Sequence, residues 1–185
     1  MKNIGFILVT LLLGACSLAK FSSYPGVVQT SFPQQLQGTY YLLMPTSIGG
    51  HKKAGDTLFY KINQTSVVLM DSSANLEEKP LGSSNVLTLV GGKYHVLSTN
   101  DTDWPAYWNC MVYMADKKDI HIYPFIEQST QSKLAKYFSK TFIGLSDNHD
   151  SVFAYTLTDE KFVRYFEKEV KGGQVLKLKR IKVKQ

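Results

Sequence analysis

Val86-Leu87-Thr88-Leu89-Val90-Gly91-Gly92-Lys93-Tyr94-His95-Val96-Leu97 is the stretch on which the fold turns. Two β-rich runs flank a Gly-Gly pair, and glycines supply the positive φ angles that a tight hairpin turn needs. Downstream, Tyr107 to Met114 and Ile120 to Ile126 flank Asp116-Lys117-Lys118-Asp119, a second hairpin with a polar turn. Upstream, Thr39 to Met44 is β-rich and stops at Pro45, and Leu58, Tyr60 and Ile62 alternate with Thr57, Phe59 and Lys61. Asn63-Gln64 then turns the chain into Ser66 to Met70. Short strands at this spacing predict an antiparallel barrel-like or sandwich sheet, not a βαβ fold.

Two helices interrupt the strands. Leu134, Tyr137 and Phe138 fall at i, i+3 and i+4 within Gln131 to Lys140, with Ser129 or Thr130 as cap. Phe162, Phe166 and Val170 stack at i, i+4 and i+8. Thr158-Asp159-Glu160 offers that second helix a cap and first-turn acids, and Gly172-Gly173 ends it. The fold class is therefore mainly β with two helices (α+β), near residues 131–140 and 159–171, closed by a basic strand from Val175 to Val183.

That last strand poses a register problem. Plain alternation puts Arg180 and Lys182 on the face of Leu176 and Leu178, and a one-residue slip exchanges the faces of a strand. A β-bulge at Lys179-Arg180 would turn Leu176, Leu178, Ile181 and Val183 inward and Lys177, Lys182 and Lys184 outward. The outward lysines are a candidate contact for anionic lipid headgroups or an acidic protein partner; the alternative is a lysine-guarded sheet edge.

The composition is globular: 185 residues, 44% hydrophobic, 19% charged and 12% aromatic, enough for one domain with a core. Two cysteines exclude a disulfide-rich scaffold. The formal charge of +6 is uneven, since residues 161–185 carry net +7 and residues 1–160 net −1. No internal repeat marks a second domain, and no nucleic-acid partner is expected.

The apolar stretch Ile4 to Leu13 is too short to span a bilayer as a helix. Preceded by Met1-Lys2-Asn3 and followed by Gly14-Ala15-Cys16, it reads as a secretory signal peptide over residues 1–15. Leu13-Gly14-Ala15-Cys16 resembles the lipobox of bacterial lipoproteins. The resemblance implies a diacylglycerol on the Cys16 thiol, cleavage before Cys16, acylation of the new amine, and hence a membrane anchor. In that family Ser17 rather than Asp after the Cys favours the outer membrane, with the domain facing the periplasm. Two or more acyl chains anchor stably where one gives only marginal binding. Residues 16–33, rich in Ser, Pro and Gly, read as the lipidated Cys and a flexible tether of roughly 20–25 Å, with Val27-Val28 a candidate for docking. Residues 34–185 are the single globular domain.

Leu36-Gln37-Gly38-Thr39-Tyr40 resembles the opening of lipocalins, which carry Gly-x-Trp on the first strand of a ligand-holding barrel. Tyr40 stands where that family has Trp, and the family's Thr-Asp-Tyr triplet and closing Arg are not obvious in the sequence.

Trp104, Tyr107, Trp108, Tyr113 and Tyr123 cluster in the chain. Trp108, Cys110, Val112 and Met114 share one strand face and read as core; Trp104 reads as an open loop residue and a candidate surface contact. With Cys16 acylated, Cys110 is either a buried free thiol or an intermolecular one. Asn100-Asp101-Thr102-Asp103 has some of the oxygen spacing of a calcium loop but lacks its later ligands, and reads as a polar turn. His51, His95, His121 and His149 are dispersed, although His95 and His121 could meet across a sheet. No zinc spacing, nucleophile elbow, Ser-x-x-Lys or phosphate loop is present, and no cofactor is expected. The leading reading is a lipid-anchored, non-enzymatic binding or assembly module of the envelope. A carrier of a small apolar ligand is the alternative, and an exported hydrolase the third.

Overall fold

The Gly91-Gly92 hairpin forms as the sequence demands. In the computed structural model, which describes residues 19–43, 46–48, 51–53, 57–70, 76–125, 131–146, 151–172 and 175–181, the strands are β1 (Lys20–Phe21), β2 (Val27–Gln29), β3 (Gly38–Leu43), β4 (Thr46–Ile48), β5 (His51–Lys53), β6 (Thr57–Ile62), β7 (Ser66–Met70), β8 (Leu76–Pro80), β9 (Asn85–Val90), β10 (Tyr94–Asn100), β11 (Trp108–Asp116), β12 (Asp119–Pro124), β13 (Ser139–Leu145), β14 (Ser151–Thr156) and β15 (Leu176–Arg180). The helices are α1 (Gln131–Tyr137) and α2 (Asp159–Tyr165), the latter continuing into a π-helical turn, Phe166–Val170. Gly91 and Gly92 have φ of 58° and 65°, and Lys93 N–H donates to the Val90 carbonyl at 3.1 Å. The second hairpin pairs Asp116 with Asp119 and places Lys117 at φ 54°.

The chain is mainly β with two helices, and its largely antiparallel sheet curls into a half-barrel. Thirteen of the described strands join one branched sheet, while β4 and β5 form a separate ribbon. The central strand β11 pairs β10 on one side. On its other side it pairs β12 over Met111 to Asp116 and β1 over Trp108 and Asn109. β15 couples the two parts of the sheet: Leu176 to Leu178 lie on β12, and Lys179 and Arg180 lie on β3.

The central strands are buried on both faces. Val96, Cys110, Val112, Tyr123 and Phe125 face the helices, where Leu134, Phe138, Phe162, Tyr165 and Phe166 cover them. Leu97, Tyr113, Ile120, Ile122 and Leu178 line the concave face with Phe32, Leu36, Tyr40 and Ile62. Two aromatic-rich layers therefore share one sheet. Rings such as Phe125 and Phe162, stacked at 4.8 Å, add specific geometry to apolar burial.

Four expectations are corrected. The tether does not extend over residues 16–33 in full. Phe21 and Phe32 are buried in the two cores, and Lys20-Phe21 runs beside β11 and β14. α1 stops at Tyr137, and Ser139-Lys140 opens β13 instead. Thr158 occupies the N-cap position of α2 without a side-chain cap bond. Asp159 accepts the Gly26 N–H at 2.8 Å, tying that helix start to the N-terminal segment. Finally, β15 has neither the bulge nor the edge position expected of it; it runs in regular register through 176–180 between β12 and β3. Val183 lies outside the described residues. No helix among the described residues is long and apolar enough to cross a membrane.

Candidate functional site

The closed end of the half-barrel explains why no bulge is needed. Arg180 stays on the face of Leu178, its guanidinium 5.0 Å over the Tyr40 ring. It donates to the Gln35 carbonyl at 3.2 Å, to the Lys118 carbonyl at 3.1 Å and to the Tyr40 hydroxyl. Tyr40 Oη in turn donates to the Leu36 carbonyl at 3.0 Å. Residues 33–37 form a tight turn through Leu36 N–H to Pro33 O and Gln37 N–H to Gln34 O. Gly38 is required because its φ is 149° and a Cβ there would lie 3.0 Å from Arg180 Nη1. Burial pushes the Tyr40 hydroxyl above its ordinary pKa, and the Arg180 charge and hydrogen bond offset part of that.

A second polar knot holds the chain's entry into the sheet. Lys20 Nζ lies 2.6 Å from Asp101 Oδ2, and both side chains are nearly buried. The same oxygen accepts Asn109 Nδ2 at 2.9 Å, while Oδ1 accepts the backbone N–H of Asp103 at 3.1 Å and of Trp104 at 2.9 Å. Both Asp101 oxygens thus serve N–H donors, which is the polar turn read from the sequence. Burial raises the Asp101 pKa, but hydrogen bonds from Lys20 and Asn109, the Lys20 charge and the Trp104 N–H together hold it below the usual value. Trp104 sits on the loop as expected, but it is half-buried and packed over Gly144, where a Cβ would overlap its ring.

Beside β2 lies an open groove of about 460 Å³, lined by Tyr24, Val28, Thr30, Leu81, Val86 and Trp108 among others. Tyr24 and Trp108 meet edge to face at 4.9 Å. Val27 and Val28, 69% and 52% exposed, project from β2, which pairs only with β9 among the described residues. The alternation of its strand assigns Trp108 to the core; it is half-buried, packing on the helix-side cluster and lining this groove as well. Tyr24, Val27 and Val28 are hidden in a Ser/Pro-rich stretch of sequence, where the one available signal is two adjacent valines.

The remaining candidates separate. His95 pairs with Tyr113 and shares the concave side with Leu97, whereas His121 pairs with Met114 on the helix side, 3.6 Å from Asp116. The one-residue offset puts the two imidazoles on opposite faces, so they do not meet. Burial lowers the His95 pKa, and its Nδ1 has no hydrogen-bond partner in the described structure. Tyr60 and Tyr113 share a hydrogen bond at 2.6 Å within the concave core. Lys177 is exposed, but Lys179 pairs with Asp119 at 3.3 Å and Arg180 turns inward. Lys182, Lys184 and Cys16 lie outside the described residues, as do His149 and Ser129.

Cys110 is buried, its Sγ 3.4 Å from Ser98 Oγ. Burial pushes the thiol up to about 12, with the Ser98 bond opposing only part of the rise. At pH 8 Cys110 in the native protein is therefore expected to react with a thiol reagent no faster than the protein unfolds. Fast labelling without denaturant would contradict this. Because Ser98 offers a new hydroxyl a partner, Cys110→Ser is expected to cost about 1 kcal/mol in urea denaturation, the low end for burying a hydroxyl.

No protein-family model, curated protein or solved structure matches this chain.

Proposed function

We propose that this chain is a lipid-anchored, non-enzymatic binding module of the bacterial cell envelope, held by acylated Cys16 and facing the periplasm from the outer membrane. The observation that carries the binding part is the groove beside β2. It combines an apolar floor, the Tyr24–Trp108 pair, the exposed Val28 and a strand that pairs on one side alone among the described residues. Such an edge can accept an extended peptide of a protein partner, with main-chain hydrogen bonds giving affinity and alternate side chains filling the groove. The lipobox-like Leu13-Gly14-Ala15-Cys16 supports the anchor.

The test is photo-crosslinking in cells from position 28, with position 76 on the exposed β8 edge as control. A discrete adduct from 28 and none from 76 is expected. Absence of an adduct, or the same adducts from both, rejects the groove as the binding face. For the anchor, Cys16→Ala is expected to abolish incorporation of a fatty-acid analogue, and equal labelling of both proteins rejects it.

A carrier function is the second reading, favoured by one feature. Arg180 from the last described strand lies over Tyr40 of Gly38-Thr39-Tyr40 and bonds its hydroxyl, a contact that supports this reading. Against it, Phe32, Leu36, Tyr113, Ile120, Ile122 and Leu178 fill the concave face that would have to hold a ligand. Saturable binding of an apolar fluorophore, displaced by a lipid extract, would favour the carrier over the peptide-binding module.

A further inference from the structure

The position at which the chain leaves the fold toward Cys16 fixes what lies beside the anchor. Ala19 is buried, and its N–H donates to the Phe125 carbonyl at 2.9 Å. Only residues 17 and 18 separate it from Cys16, so the two Cα atoms can be no more than about 11 Å apart. β1 runs parallel to β14, with Lys20 beside Ala154 and Phe21 beside Tyr155. Ala154 in turn pairs with Thr141 on β13, next to Phe142. At the usual strand spacing Thr141 is about 10 Å from Lys20. From Phe21 back to Lys20, β1 runs in the direction that leads β14 from Tyr155 back through Ala154 toward Phe153, the partner of Phe142.

Phe142 and Leu145 are 55% and 54% exposed. On a regular strand, residues three apart would point to opposite faces. Here the register shifts between Phe142 and Gly144, so Phe142 pairs with Phe153 and Leu145 with Ser151. Phe153 and Ser151 are two apart on β14, and the bulge at Ile143 therefore brings Phe142 and Leu145 onto the same face. The Phe153 ring supports Phe142 at 6.0 Å, and Lys140 Nζ lies 4.3 Å over the Phe153 ring. On the opposite face, Trp104 packs against Gly144. An exposed Phe and Leu beside a lysine whose ammonium lies over an aromatic ring form a composition suited to a bilayer interface.

We propose that the β13 edge, through Phe142 and Leu145, rests in the headgroup region of the bilayer that holds acylated Cys16, fixing the domain's orientation with the β2 groove turned away from the membrane. This rests on the lipoprotein reading of Cys16. The groove lies beyond the other end of β1, because Phe21 pairs with Trp108 and Tyr24 packs on that ring. Phe142 and Leu145 are uncharged, so uncharged lipid is the right probe.

The full-length lipidated protein is reconstituted into phosphatidylcholine vesicles, some carrying a nitroxide on the acyl chain near the headgroup. An environment-sensitive fluorophore is attached in turn through Phe142→Cys, Leu145→Cys and, as control, Val28→Cys; native Cys110 is buried. Flotation with the vesicles reads the anchor, and quenching reads the contact. The expected result is flotation of all three, loss of fluorescence at 142 and 145, and none at 28. Flotation with no quenching at 142 and 145, or with equal quenching at 28, overturns the seated edge and leaves the anchor standing. A full-length protein that carries no acyl group and does not float overturns the anchor, and the proposal with it.

Discussion

Asp101→Ala is expected to destabilise the folded chain by about 3–5 kcal/mol, the usual penalty for removing one partner of a buried ion pair. The loss exceeds that of a surface pair because the residue has four donors to abandon. Lys20 Nζ would remain nearly buried with no counter-charge, Asn109 Nδ2 would lose its acceptor, and the N–H groups of Asp103 and Trp104 would lose theirs. Lys20→Met should cost less than Asp101→Ala, since the turn bonds to Oδ1 survive it. In a double-mutant cycle the pair should couple strongly, because each single change strands the other residue. The pH dependence follows from the depressed Asp101 pKa. The folded pKa lies below the unfolded value near 3.9, so the stabilisation is complete above about pH 4 and is lost as pH falls through the folded value. Urea denaturation at pH 7 and pH 3 measures both effects. A loss below ~1 kcal/mol for Asp101→Ala at pH 7, the range of exposed ion pairs, would show that water solvates the knot after all.

This knot also marks where sequence reading ends. Lys20 and Asp101 are 81 positions apart, and nothing local to Lys20-Phe21 announces a strand. Two residues hold no period, and the neighbouring Ser, Pro and Gly imitate a linker. The hairpins are legible because their turn chemistry is local: Gly91-Gly92 and Lys117-Lys118 carry their signal in the residues that bend. The second helix is legible for the same reason, since Phe162, Phe166 and Val170 define its buried face within three turns. The two-faced core is harder to read. Val96, Leu97 and Ser98 are all buried, so the polar alternation that reveals a half-buried strand is absent there. β13 and β14 escape the sequence pattern, and the bulge at Ile143 helps explain why, because it breaks the period on which strand recognition depends. Of the candidate contacts, Trp104 can be placed on its loop from sequence but not in its half-buried setting. The exposed valines of β2 and the Phe142–Leu145 face carry meaning only once the strand order is known.

Arg180→Ala is expected to cost about 2–3 kcal/mol, because charge-assisted hydrogen bonds and a cation–π interaction disappear together at a partly buried site. The Gln35 and Lys118 carbonyls lose a donor, and the Tyr40 ring loses its cover. Arg180→Lys should recover little, because an ammonium cannot lie flat on the ring while bonding two separated carbonyls. Gly38→Ala attacks the same closure from the other strand. A Cβ would sit 3.0 Å from Nη1 and 3.2 Å from Cζ of Arg180, on a backbone whose φ of 149° already disfavours a side chain. The two substitutions should therefore be less than additive. Once the guanidinium is gone, Gly38→Ala still strains the backbone and meets Tyr40 Oη at 3.3 Å, but its two closest contacts are gone. Chemical denaturation of the two single variants and the double variant gives the coupling directly. Strict additivity would mean that the arginine does not pack against Gly38 in solution. Coupling of more than about 0.5 kcal/mol, the scatter expected for independent sites, would place Gly38, Tyr40 and Arg180 in one closing unit. The order of the residues in the chain fits such a unit. Gly38 and Tyr40 open the first long strand, Arg180 ends the last described one, and β15 pairs β3 at that point, so fastening this corner holds the two parts of the sheet together.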